Sequence, residues 1–100
     1  MDTYEKQTTL RYEPESALGI IAPALEEDGF ENIETSADGR MLTATKLNAK
    51  GREARVVVWV EPAVAGSSVT VRGAGHRVAA IFKSPARDAV KRAIKAMGAQ

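Results

Sequence analysis

"REARVVVWVEPAVAGSSVTVRG", residues 52–73, decides the fold. Ala54, Val56, Val58 and Val60 share one parity and Arg55, Val57 and Trp59 the other, the period-2 alternation of a strand with one buried face. Pro62 is expected to end that strand, because proline has no N–H to give a ladder. "AVAG", residues 63–66, reads as a turn. Val69 and Val71 then alternate with Thr70 and Arg72 in a second strand.

Upstream, "NIETSADGRMLTATKL", residues 32–47, reads as two more strands around Asp38-Gly39, a dipeptide favoured in tight hairpins because glycine accepts positive φ. "NAKG", residues 48–51, is the turn that follows. Near the N-terminus, "TYEKQTTLRYE", residues 3–13, places Tyr4, Leu10 and Tyr12 on one parity and Glu5, Gln7, Thr9 and Arg11 on the other, again a strand.

"PESALGIIAPALEEDGF", residues 14–30, switches to helical spacing, with Ala17, Leu18, Ile21, Ala24 and Leu25 on one stripe and Pro14 in the first turn. Gly29 reads as the left-handed residue after the helix, which makes Leu25 and Phe30 the apolar pair of a Schellman motif. Pro23 removes an interior N–H, so a kink near residues 19–23, or two short helices, is expected. At the C-terminal end, Ser84 and Pro85 read as N-cap and first helical residue, and Gly98 as the closing glycine of a helix over 85–97. Its apolar stripe is Ala86, Ala89, Val90, Ala93, Ile94 and Met97, with Arg87, Lys91 and Lys95 opposite and Asp88 spaced to pair with Arg92. "HRVAAIFK", residues 76–83, fits either a fifth strand of the meander or a helical turn.

The order is therefore β-α-β-β-β-β-α in a single domain over residues 1–100. It implies an α+β sandwich in which an antiparallel sheet of four to five strands carries both helices on one face. Seventeen of the 44 apolar residues are alanine, so the core is modest. No apolar run approaches the roughly 20 residues of a transmembrane helix. "MDTYEKQTTL" lacks the basic and apolar regions of a signal peptide; Met1 is either native or an addition before a mature segment.

Several chemistries lack their residues. With no cysteine, disulfides, thiolate catalysis and Cys-ligated zinc are excluded. One histidine, His76, and no G-x-S-x-G elbow give a Ser-His-acid triad no support. The acidic cluster Glu26, Glu27 and Asp28 lies at a helix C-terminus, where anions oppose the macrodipole and are expected to be solvated. No catalytic residue, metal or cofactor is expected. The glycines of "RGAGHR", residues 72–77, stop at G-x-G and fall short of a dinucleotide or Walker motif.

Charge is uneven: residues 1–61 carry 7 basic and 12 acidic side chains, net −5, and residues 62–100 carry 7 basic and 1 acidic, net +6. Either the two ends neutralise each other in the fold, or the basic end steers an anionic partner. Arg72, His76, Arg77 and Lys83 are the candidate anion-binding residues, with Arg87, Lys91 and Lys95 alongside. Phe82 is the sole aromatic residue from position 62 onward, so base stacking on nucleic acid is unsupported. Val57 and Trp59, on the second parity of the strongest strand, are the candidate partner surface, if that parity is the outer one.

The layout resembles small bacterial lipoprotein domains of unknown function, similar to the repeat domain of the BamC lipoprotein of the outer-membrane β-barrel assembly machinery. The carrying features are "LRYEPESAL", "ALEEDGF", "SADGRMLTA", "VVVWVEP", "SSVTVRGAG" and "KSPARDAVKRAIKAM". The chain departs from the pattern at "GHR", residues 76 onward after Gly75, where a Gly-Asp step would stand, and in lacking a lipobox cysteine. The resemblance implies a helix-grip-like fold, a periplasmic or envelope address and an adaptor or structural role without catalytic residues. Absent that address, the cytoplasm is expected. The reading is thus a non-enzymatic interaction or structural domain with a protein partner, through a sheet edge or the Trp59 face. The alternative is an anion-binding module for nucleic acid or acidic lipid.

Overall fold

A computed structural model describes residues 2–47, 51–75 and 84–98 of the chain. The expected order is what forms: β1 (Asp2–Leu10), α1 (Pro14–Glu27), β2 (Glu31–Thr35), β3 (Met41–Leu47), β4 (Glu53–Ala63), β5 (Gly66–Gly75) and α2 (Pro85–Ala96). The five strands make one sheet in the order β1-β5-β4-β3-β2, antiparallel throughout. Residues 76–83, including the segment left between strand and helix, lie outside the described residues, as do residues 48–50 of the expected turn.

Strand parity sorts the sheet into two faces. Ala54, Val56, Val58 and Val60 of β4, Val69 and Val71 of β5, and Leu42 and Ala44 of β3 are buried beneath the helices. Against them pack Ala17, Leu18, Ile21 and Leu25 from α1 and Ala89, Val90 and Ala93 from α2. Ala24 and Ile94, expected on those stripes, are only half-buried. Tyr4 and Leu10 face inward as their parity predicts, but β1 stops at Leu10 and Tyr12 lies beyond it, exposed.

The helix signals translate into geometry. Gly29 takes φ +97°, Phe30 N–H donates to the Leu25 carbonyl at 2.9 Å and Gly29 N–H to Glu26 at 3.0 Å, the two bonds of a Schellman motif. Ser84 Oγ accepts from Arg87 N–H at 3.0 Å, and Gly98 takes φ +75° past the end of α2. Pro23 does not divide α1, which runs as one helix from Pro14 to Glu27. Gly19, four residues earlier, has no side chain to add to the clash of the proline ring with that turn.

Pro62 does not end its strand either. β4 continues to Ala63, with Pro62 opposite Ser67 of β5, while its last β3 partner is Met41 opposite Trp59. The proline therefore sits where β4 has outrun β3, and its missing donor costs no ladder bond on that side. Val64 and Ala65 close the hairpin between Ala63 and Gly66. Gly66 has φ +141°, and a Cβ there would stand 2.2 Å from the Leu10 carbonyl oxygen, so no side chain fits.

The paired glycines near the end of β5 have a packing role. Both lie on the helix-facing parity, and a Cβ on Gly73 would come within 2.6 Å of the Ala86 carbonyl oxygen and 2.8 Å of Val90 Cγ2. On Gly75 it would meet the Pro85 ring at 3.1 Å. The G-x-G lets the first turns of α2 lie close on β5. Asp2 completes that corner: its carboxylate accepts from the Ser84 hydroxyl and, at 3.2 Å, from Ala86 N–H, placing an anion at the positive end of α2.

Candidate functional site

The sheet face away from the helices is open among the described residues. Its centre is Trp59, half-buried, flanked in register by Met41 on β3 and Thr70 on β5. Val57, one pleat along, lies between Thr43 and Arg72. The second parity of β4 is thus the outer one, and Val57 and Trp59 form an apolar spot with Met41, which is 36% exposed. The same register places Glu5, Glu34 and Glu61 around the spot, with Arg55 and Arg72 between them.

Both sheet edges resist further strand addition. β2 has five residues and a register shift between Glu31 and Glu34, with Asn32 at φ +53°. β1 is longer, but Lys6 at its middle is exposed although its parity points to the helical side. A short bulged edge and an inward-facing lysine are two of the devices by which edges avoid pairing with another chain.

The candidate anion-binding cluster is divided. Arg72 stands on the open face, directly opposite Glu5 of β1, a cross-strand neighbour of opposite charge. His76, Arg77 and Lys83 lie outside the described residues. The stripe on α2 divides as well: the Arg87 guanidinium sits 5.8 Å from the centre of the Tyr4 ring, on the β1 side. Lys91 and Lys95 instead line a cleft of about 560 Å³ against the ends of β3 and β4, together with Lys46, Arg52, Arg92 and, alone among the described acids, Asp88.

Asp28 organises the near wall of this cleft. Arg92 reaches it with two bonds, Nε at 3.2 Å and Nη2 at 3.1 Å, so the arginine pairs with α1 rather than with Asp88 as its i+4 spacing predicts. Lys46 Nζ donates to the Asp28 carbonyl oxygen at 2.6 Å, stands 3.8 Å from its carboxylate, and lies 5.0 Å from the Phe30 ring centre. The hydrogen bond from Arg92 foremost, with the charges of Arg92 and Lys46, holds the Asp28 carboxyl below its ordinary pKa against the opposing effect of desolvation. α1 has no basic residue in its last turn; Lys46 supplies from a strand the cation that its carbonyl end lacks. Asp28 is therefore engaged, whereas Glu26 and Glu27 are exposed.

Lys46, Arg52 and the Asp28 junction were invisible to a reading confined to local spacing. One sequence signal exists: Lys46 shares the parity of the buried Leu42 and Ala44, an unusual place for a lysine. Among the described residues no three His, Cys, Asp or Glu side chains gather as metal ligands. No helix among them is long and apolar enough to cross a membrane.

Neither a protein-family model nor a curated protein sequence matches this chain. Solved structures do share its architecture. Protein CV1439 from Chromobacterium violaceum is similar with a TM-score of 0.61 at 11% identity, over 97% of this chain and 95% of that one. Protein MLL2253 from Mesorhizobium loti gives 0.62 at 12%, over 95% and 93%. Ara h 8.0201 gives 0.53 at 14%, also over 95% and 93%. At these identities the likeness is one of fold: the chain is an α+β two-layer sandwich of helix-grip type.

Proposed function

We propose that this is a non-enzymatic binding domain whose open sheet face docks a protein partner around Trp59. The observation that carries the reading is the apolar centre of that face: Trp59 and Met41 side by side, Val57 one pleat away, and no described element over them. A tryptophan ringed by polar side chains has the composition of a docking centre, where a large aromatic supplies apolar area at low entropic cost. Docking through the face rather than an edge follows from Lys6 and the β2 bulge. The glutamates at its rim favour a partner with basic groups around an apolar contact. An envelope address, implied by the lipoprotein resemblance, belongs to this proposal; fractionation of source cells checks it, and a purely cytoplasmic chain removes it.

Site-specific photo-cross-linking in source cells tests the docking face. A benzophenone amino acid at Val57 should yield a discrete protein adduct that disappears when Trp59→Ser is added, whereas the same group at Glu15 on α1 should not. Adducts that are absent from position 57, or unaffected by Trp59→Ser, would refute the proposal.

A further inference from the structure

We infer that the cleft between α2 and the ends of β3 and β4 binds a small phosphorylated ligand, with the phosphate held by Lys91 and Lys95 beside Arg52. The cleft lies on the helical side of the sheet, so this inference is independent of the docking face and either can fail alone.

Size, charge and surface all point to such a ligand. About 560 Å³ falls within the 300–1,000 Å³ range usual for small-molecule sites. Among the described residues its rim holds five cations and one acid, and its wall is apolar: Ala54, Pro85 and Ala89, with Leu47 55% exposed. A concave apolar wall with charged groups at one side suits a ligand with an apolar or aromatic body and an anionic end. Lys91 and Lys95 are one helical turn apart on α2, a spacing at which two ammonium groups can close on one oxyanion. Lys46 and Arg92 are held differently. Asp28 bonds both, and they act as positioning residues that join the cleft's wall to the end of α1.

That division of labour separates a binding site from a basic helix surface. Asp28→Asn leaves the shape of the side chain but removes the charge that engages Lys46 and Arg92, so two further cations in the cleft lose their counterion. A structural ion pair with no site beside it predicts a less stable protein and no gain in anion affinity. A phosphate site predicts lower stability and tighter binding together.

The test is an NMR titration of the whole chain with phenyl phosphate, with inorganic phosphate, an anionic phosphatidylglycerol vesicle and a short DNA duplex as comparison probes. Phenyl phosphate should shift the amides of Leu47, Ala54, Ala89, Lys91 and Lys95, and bind more tightly than inorganic phosphate because its ring reaches the apolar wall. Replacing both exposed lysines, Lys91→Gln with Lys95→Gln, should weaken it about tenfold, and Asp28→Asn should strengthen it about threefold at low salt. Unchanged affinity in the lysine variant overturns the inference, as does a response spread equally over Arg72 and Arg87. Tighter binding of DNA or vesicles with no phenyl phosphate response also overturns it, in favour of a polymer or a membrane surface. Circular dichroism of the lysine variant, whose changes are on exposed residues, establishes that a loss of binding is not a loss of fold.

Discussion

Replacing Gly73 with alanine isolates the contact that fixes α2 on the sheet. The new Cβ would stand 2.6 Å from the Ala86 carbonyl oxygen and 2.8 Å from Val90 Cγ2. The first distance is about 0.8 Å short of ordinary contact, so α2 must lift or β5 must bend. Gaps of that size forfeit a quarter to a half of the dispersion attraction across them, and overpacking a core costs about 1–3 kcal/mol. Against this, alanine reduces the entropy of the unfolded chain, worth about 0.4–1 kcal/mol in the variant's favour. The net expectation is a loss of about 1–2 kcal/mol, equivalent to a Tm lower by about 4–16 °C in a domain of this size. Urea unfolding followed by circular dichroism reads it as a lower midpoint at unchanged slope. Gly19→Ala is the internal control: nothing lies within 4 Å of its Cβ, and helix propensity alone should raise stability by up to about 1 kcal/mol. If Gly73→Ala unfolds at the wild-type midpoint or above while Gly19→Ala behaves as stated, the close approach of α2 to β5 is wrong.

Other perturbations address other junctions. Asp28 has a depressed folded-state pKa, so its contribution to stability is present above the unfolded value near 3.9 and is lost as pH falls through the folded one. The stability difference between wild type and Asp28→Asn should be constant above about pH 5 and shrink below about pH 4; a difference independent of pH excludes the charge pairing. Ser67 is fully buried and donates to the Tyr12 carbonyl at 2.5 Å, so Ser67→Ala should cost about 1–2 kcal/mol by leaving that acceptor unpaired, and equal urea midpoints would refute the bond's importance. Lys6→Ile removes the charge from the middle of β1, and concentration-dependent association should then appear in light scattering. A variant that stays as monodisperse as the parent would show that the edge needs no such guard.

Much of the architecture is a matter of local chemistry, and that part is readable along the chain. Gly29 and Phe30, Ser84 and Pro85, and the valine alternation of β4 each act within a few residues. What is not readable depends on where distant segments meet. Asp28 and Arg92 are 64 positions apart, and nothing in the tripeptide Glu26, Glu27, Asp28 distinguishes the acid that two cations will hold from the two left in water. The glycines at 73 and 75 suggest a ligand loop only when the helix that crosses them is out of view. Pro62 reads as a strand end because the sequence shows its missing donor but not that β3 has already stopped. Arg72 and the lysines of α2 share the basic C-terminal part of the sequence, yet Arg72 faces the opposite side of the sheet from Lys91 and Lys95, because its parity is opposite to that of the buried Val71 on the helical face. The charge asymmetry resolves in part as neutralisation: Asp28 meets Arg92, and Glu5 stands opposite Arg72.

The placement of β1 has a consequence for the order of assembly. The first strand made pairs with β5, from Asp2 opposite Gly75 to Leu10 opposite Ser67, and Asp2 also holds the N-terminus of a helix that begins at residue 85. The hairpins from β2 to β5 close short loops and can form early, whereas β1 must close a loop of more than fifty residues. Pulse-labelled hydrogen exchange should accordingly find β1 amides protected after those of β3 and β4. Until β1 arrives, the valine-bearing β5 is itself the edge of the sheet, without a lysine to shield it. The period of greatest exposure to misassembly falls between the synthesis of β5 and the docking of β1, although the guard strand is the first to be made.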